Sequence, residues 1–127
     1  MPTWSDDDLG QIGDATELQL ASARDGGLSP YTTMWVVRVG KELYVRSAGG
    51  PDRLWYRRAK ASGVGRIRAG GVERDVVFGA ADPGVNSDID AAYHAKYDAY
   101  GPTTVRHVIG QNARHVTIRL QPRTDDD

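Results

Sequence analysis

Two glycine turns limit what this chain can fold into more than any other feature. Gly40-Lys41 lies between residues 32–39 and 42–47, and Gly70-Gly71 lies between residues 64–69 and 72–78. All four runs are rich in β-branched, aromatic or alternating residues. Two-residue glycine loops between such runs join antiparallel strands in a fixed register, and glycine at the first turn position favours a type II′ turn. Counting outward from Gly40-Lys41 pairs Val39 with Glu42, Val37 with Tyr44 and Trp35 with Arg46. Side chains alternate along a strand, so Thr33, Trp35, Val37, Tyr44 and Arg46 share one face. Met34, Val36, Leu43, Val45 and Ser47 share the other. Both faces carry apolar residues, so both are expected to be covered. Trp35 opposite Arg46 reads first as a cross-strand cation–π contact and second as a flat, cationic edge for an aromatic anion. The same counting around the second turn sets Arg68 against Glu73, Arg66 against Asp75 and Ile67 against Arg74. Opposite charges across strands explain those arginines structurally, without a nucleic-acid or phosphate patch.

The rest of the chain fits around the hairpins. Ser5 before Asp6, Asp7 and Asp8 predicts a capped helix start with an acidic first turn. Leu9 and Ile12 give that helix an inward face, and Gly13 is expected to end it. Residues 17–23 read as a strand with Leu18, Leu20 and Ser22 on one side, and residues 24–30 as a loop. Beyond the first hairpin, residues 47–52 form a glycine-rich bend into a short helix bearing Leu54, Trp55, Arg58 and Ala59. Asp52 is expected to cap it. Such a bend exposes backbone N–H groups to a phosphate or carboxylate, and Arg46, Arg53 and Arg57 add charge. The pattern is neither a P-loop nor a dinucleotide fingerprint.

Ser87 and Asp90 suggest a capping box for a longer helix, with Ile89, Tyr93, Tyr97 and Tyr100 forming one stripe until Gly101-Pro102 stops it. Tyrosines so spaced usually serve packing, with a tyrosine acid as the functional alternative. Residues 103–109 read as a short helix or turn. Residues 114–120 alternate as a last half-buried strand. His94 lies four residues from Asp90, and with His107 and His115 it makes no metal-binding spacing.

Composition sets outer limits. At 127 residues the chain suits one domain, read here as residues 1–123 followed by a disordered acidic tail at 124–127. A net charge of −1 gives no long-range case for nucleic acid or a membrane surface. Cysteine is absent, which excludes thiolate nucleophiles and cysteine metal sites, and no metal is expected. No apolar run approaches the roughly 20 residues of a membrane span. The start of the chain lacks a basic, apolar signal region, so a cytoplasmic protein is expected.

The stretches WSDDDL, TTMWVVRVGKELYVRSAGG, GRIRAGGVERDV and DAAYHAKYDAYG resemble a family of short bacterial proteins known as a domain of unknown function (DUF2255). More distantly, the order from Thr32 to Gly50, then a tryptophan-bearing helix, then two strands, is similar to the flavin-binding split β-barrels. The deazaflavin-dependent nitroreductase branch is the nearest. Met34 stands where that branch often has proline, and Arg53 where lysine is common. The resemblance implies an FMN or deazaflavin (F420) cofactor near Thr32, Thr33, Trp35, Arg46, Ser47, Gly49, Gly50 and Trp55, and implies that two copies pair as a homodimer.

The expected fold is α+β, a mostly antiparallel six-stranded split β-barrel with about three helices. Its core would hold Leu18, Leu20, Trp35, Val37, Val45, Ile67, Val76, Phe78, Ile89, Tyr93, Val116 and Ile118. Three functions stay open. One is a flavin- or deazaflavin-dependent oxidoreductase or binder, in which Ser47 and the loop take the phosphate and Arg46→Ala weakens anionic cofactor binding. The second is a cofactor-free isomerase or cyclase using a tyrosine or histidine acid. The third is a non-catalytic small-molecule-binding module.

Overall fold

A computed structural model of the chain describes residues 3–109 and 113–123. Its strands are β1 (Leu18–Arg24), β2 (Gly27–Leu28), β3 (Thr32–Met34), β4 (Val36–Val39), β5 (Glu42–Arg46), β6 (Val64–Ala69), β7 (Val72–Ala80) and β8 (Thr117–Pro122). Its helices are α1 (Asp6–Asp14), α2 (Leu54–Ser62), α3 (Asn86–Tyr97) and the four-residue α4 (Pro102–Val105). All strand pairs are antiparallel, in the order β2-β1-β6-β7-β8-β5-β4, with β3 also on β1. The fold is therefore α+β, a split barrel of eight strands rather than six. One extra strand is β2, inside the stretch read as a loop. The other arises because residues 32–39 divide in two.

That division closes the barrel. β3 pairs with β1 at one end of the sheet, and β4 pairs with β5 at the other. At the start of β4 the backbone of Val36 turns to α3 for hydrogen bonds. Its N–H donates to Tyr97 Oη at 3.2 Å, and its carbonyl accepts from Tyr97 Oη at 3.0 Å and from Lys96 Nζ at 2.7 Å. Buried backbone groups must find partners, and here side chains supply them where the strand changes neighbours.

Both hairpins keep the register read from the turns: Val39 faces Glu42 and Val37 faces Tyr44, while Arg68 faces Glu73 and Arg66 faces Asp75. Gly40 has φ +60° and Lys41 is not left-handed, as a type II′ turn requires. Gly70 and Gly71 both have positive φ, and a side chain at Gly70 would collide with the Gln11 carbonyl of α1.

The two faces of β4–β5 enter two separate cores. Val36, Leu43 and Val45 join Leu9, Ile12, Leu18, Leu20, Ile67, Val76, Ile118 and Leu120 inside the barrel. Val37 and Tyr44 join Ile89, Tyr93, Tyr97, Val105 and Val108 beneath α3. Trp35 and Phe78, expected in the core, are only partly buried. Trp4, not expected there, is buried and donates from Nε1 to the Leu120 carbonyl at 2.8 Å.

Several helix details differ from expectation. Ser5 caps α1 through the Asp8 N–H, but the helix runs through Gly13 to Asp14. Gly13 instead lets Arg38 lie against it, since a Cβ there would sit 3.2 Å from Arg38 Cβ. Arg53, not Asp52, is the N-cap of α2, without a side-chain hydrogen bond. Val85 is the N-cap of α3, because Asp90 has other partners and forms no capping box. His94 meets Asp98 at 2.9 Å rather than Asp90. Tyr100 is 56% exposed and falls off the buried stripe, because the chain tightens into a 3-10 turn after Tyr97. The final strand begins at Thr117, not at 114. The acidic tail read at 124–127 lies outside the described residues.

Candidate functional site

The strand change at Trp35 and the bend after β5 leave a cleft of about 420 Å³. β3 supplies Thr32, Thr33 and Met34, and Trp35 follows at the break. The bend supplies Ala48 and Gly49, and the start of α2 supplies Arg53 and Trp55. Glu17, Arg46, His107 and Val108 complete the lining. Of the eight residues expected together, Thr32, Thr33, Trp35, Arg46, Gly49 and Trp55 meet here. Ser47 and Gly50 do not line the cleft. The Ser47 hydroxyl donates to the Gly50 carbonyl at 2.6 Å, and the Gly50 N–H donates to the Ser47 carbonyl at 3.0 Å. The bend is thus tied to itself. Its serine has no free hydroxyl proton for a phosphate.

Arg46 also has a different duty from the one expected. Its side chain is fully buried, and every N–H has a protein acceptor. Nε donates to Thr117 Oγ1 at 2.9 Å. One terminal nitrogen donates to Asp90 Oδ1 and to the Val108 carbonyl at 2.8 Å, the other to Asn86 Oδ1 at 3.2 Å and the Asn86 carbonyl at 3.4 Å. A guanidinium has five N–H donors, and all five are accounted for. The aromatic ring under Arg46 belongs to Tyr93, 5.7 Å away, not to Trp35. Trp35 stacks on Tyr97 instead, with centroids 4.0 Å apart and planes within 6°. The cross-strand pairing of Trp35 with Arg46 fails because β4 begins only at Val36, which lets the indole swing toward α3.

Asp90 is the counter-charge, shared between Arg46 and Arg114 at 2.9 Å. Burial raises its pKa, but hydrogen bonds from both arginines outweigh burial and hold it below the ordinary carboxylate value. Tyr93 is completely buried, which pushes its phenol pKa upward, and its hydroxyl lacks a well-formed partner among the described residues. The Arg46 backbone N–H approaches it without reaching good geometry. Tyr97 is likewise pushed up by burial, and its single hydroxyl proton is shared between the Val36 carbonyl and the Thr16 carbonyl at 2.7 Å. Neither tyrosine lines the cleft. The tyrosine-acid reading therefore has no tyrosine at the cleft to act through.

The ionisable side chains left facing the cleft are Arg53, Glu17 and His107, none in an ion pair among the described residues. Arg53 lies over Gly49, where a side chain would collide with it. Sequence reasoning had noted Arg53 only as added charge. Glu17 carries no site signal in the sequence and His107 reads as an ordinary histidine, because their place in the cleft depends on the barrel closing.

No helix of the described residues is long and apolar enough to cross a membrane. Residues 8–120 match the family model described as an uncharacterised protein conserved in bacteria, DUF2255. No curated protein matches the chain. Among solved structures, the fold is similar to a Listeria innocua protein named as a candidate pyridoxamine 5'-phosphate oxidase (14% identity, TM-score 0.64, 94% of this chain and 93% of that one). It is also similar to an FAD-binding protein from Mesorhizobium loti (16% identity, TM-score 0.59, 96% and 92%). An F420 reductase is similar as well (18% identity, TM-score 0.54, 91% and 93%). At these identities the likeness establishes the split-barrel fold.

Proposed function

The chain belongs to the DUF2255 family, and from that membership, the split barrel and the cleft we propose that it is a flavin- or deazaflavin-binding protein of the oxidoreductase kind. The observation that carries this reading is the pair of indoles, Trp35 and Trp55, lining one cleft beside the glycine bend. A cavity of about 420 Å³ falls within the roughly 300–1,000 Å³ usual for small-molecule sites. Flat aromatic walls, two threonine hydroxyls and one unpaired arginine suit a planar heterocycle with an anionic tail. The structural neighbours described as binding FAD or named for F420 support the same class.

The residues divide the work by chemistry. Trp35, held flat by Tyr97, offers a rigid apolar face, and Trp55 offers a second. Thr32 and Thr33 present hydroxyls that hydrogen-bond ring heteroatoms. Arg53, with the uncapped N-terminus of α2, holds the anion. Arg46 stiffens the wall behind the site without touching the anion. The bound group would supply the hydride or electron chemistry, and the protein supplies binding, orientation and exclusion of water. Glu17, on the Thr33 side of the cleft, disfavours a second negative charge at that end and so orients the tail toward Arg53. Two copies pairing across the cleft would extend its open side.

Incubation with FMN, FAD and F420, followed by desalting and an absorption spectrum, tests this. Retained cofactor absorbance at near one equivalent is expected for one of the three. Protein that emerges colourless and non-fluorescent with all three contradicts it.

A further inference from the structure

A second hollow, of about 270 Å³, opens where β1, the chain after β2 and the C-terminal half of α2 meet. Ser22, Ala23, Arg24, Ser29, Arg58 and Ser62 line it with Ala61, and it shares no residue with the cleft at Trp35 and Trp55. Its floor is a serine clasp. The Ser22 N–H donates to Ser29 Oγ at 2.8 Å, and the Ser29 N–H donates to the Ser22 carbonyl at 2.8 Å. Ser29 Oγ donates onward to the Pro30 carbonyl at 3.3 Å. The Ser62 hydroxyl is engaged with the Val64 carbonyl at 2.9 Å. Ser22 alone keeps a hydroxyl with no partner among the described residues, although the residue is only 3% exposed. Buried polar groups are nearly always satisfied, so the Ser22 hydroxyl, beside the hollow, has a hydrogen bond left to give to what occupies it.

The charges around it indicate what that is. Arg24 and Arg58 line the hollow, and neither has a carboxylate within ion-pair distance among the described residues. Arg46, Arg66, Arg68, Arg74 and Arg114 all do. No acidic residue lines the hollow. The C-terminal end of α2 brings about half a negative charge, against two full positive charges. The net field favours an anion. Guanidinium forks match oxyanions in shape, and a hydroxyl can donate to a third oxygen. A space of 270 Å³ is below the roughly 300 Å³ at which drug-sized sites begin, so the ligand is small.

We propose that Arg24, Arg58 and the buried Ser22 hydroxyl form a binding site for a small oxyanion, phosphate or the phosphate of a monoester, separate from the cofactor cleft. The thermal midpoint of the full chain, followed against inorganic phosphate with chloride holding ionic strength constant, tests this. Phosphate well above its Kd should raise the midpoint by several degrees, because a ligand of the folded state alone stabilises it. Arg58→Gln and Ser22→Ala should each weaken phosphate about tenfold or more, the loss of one charge-assisted or buried hydrogen bond. Lys41→Gln, on the exposed turn of the first hairpin, should leave the phosphate response intact. An unshifted wild-type protein overturns the proposal. So does a response that survives Arg58→Gln, or one abolished by Lys41→Gln. Ser22→Ala should fold normally, since it removes an unsatisfied group. Repeating the titration with glycerol phosphate identifies the source: tighter binding than inorganic phosphate marks an ester, weaker binding marks the free ion.

Discussion

On the wall covered by α3, Arg46 has every N–H engaged and its charge matched by Asp90. Seven residues further along, Arg53 lies across Gly49 at the mouth of the cleft with no carboxylate in reach among the described residues. The same side chain does opposite work in the two places. Where burial is complete, an arginine must be fully hydrogen-bonded, and it then fastens elements together. Where it is exposed and unpaired, its donors are available to a ligand. Arg46 therefore helps build the wall behind the cleft, and Arg53 is the residue proposed to meet a ligand there.

The most direct way to break this contrast is Asp90→Ala. It leaves the buried Arg46 charge without its counter-ion, and should cost about 3–5 kcal/mol in denaturant unfolding. A loss well under 1 kcal/mol would show that Arg46 is not held by Asp90. Next comes Tyr97→Phe, which strips the partner from the Val36 N–H and frees the Trp35 stack from its anchor. It should cost about 1–3 kcal/mol. It should also loosen ligand binding at the cleft, because the lost hydroxyl fixes the ring on which Trp35 stacks.

Arg53→Gln sharpens the comparison from the other side. Affinity for an anionic cofactor should fall about tenfold, with stability unchanged within roughly 0.5 kcal/mol. Titration calorimetry reads the first and thermal unfolding the second. An equal effect on both would make Arg53 a fastener too.

The smallest effect is in pH. Burial lowers the pKa of Lys96 to about 8, with Asp14 partly opposing, against 10.5 for an ordinary lysine. Between those values the unfolded chain binds more protons, so stability should rise as pH climbs from about 8. Near pH 10 the raised phenols of Tyr93 and Tyr97 reverse the trend, since the folded state then keeps protons the unfolded chain loses. On the acid side, the contribution of Asp90 is lost only as pH falls below the ordinary value of 3.8. Lys96→Met should flatten the rise above pH 8 in unfolding curves collected across that range.

What was readable in the chain was mostly local. Turn glycines at 40 and 70 fix register by themselves, so both hairpins, the Arg66 and Arg68 pairs and the two-faced burial of β4–β5 follow from spacing alone. What was not readable depends on distant partners. Asp90 sits 44 residues from Arg46, and nothing in either neighbourhood announces the other. A Ser-x-x-Asp spacing imitates a capping box even when the aspartate is needed elsewhere. The break at Trp35 was hidden because residues 32–39 read as one uninterrupted strand, while closing the barrel requires them to change neighbours. Ser47 looked like a phosphate ligand because its hydroxyl sits on a glycine bend, but the bend needed that hydroxyl to hold its own shape.

The space between Trp35 and Trp55 is proposed to receive a flat redox cofactor. Tryptophan fluorescence measures it directly, because the third tryptophan, Trp4, is buried with its Nε1 on the Leu120 carbonyl and serves as an internal reference. Titration with FMN, FAD or F420 should quench the emission of Trp35 and Trp55 in a saturable way. The quenching should shrink in Trp55→Phe and leave a constant residue from Trp4. Emission that falls only linearly with added cofactor, to the same extent in the wild type and Trp55→Phe, would contradict the assignment.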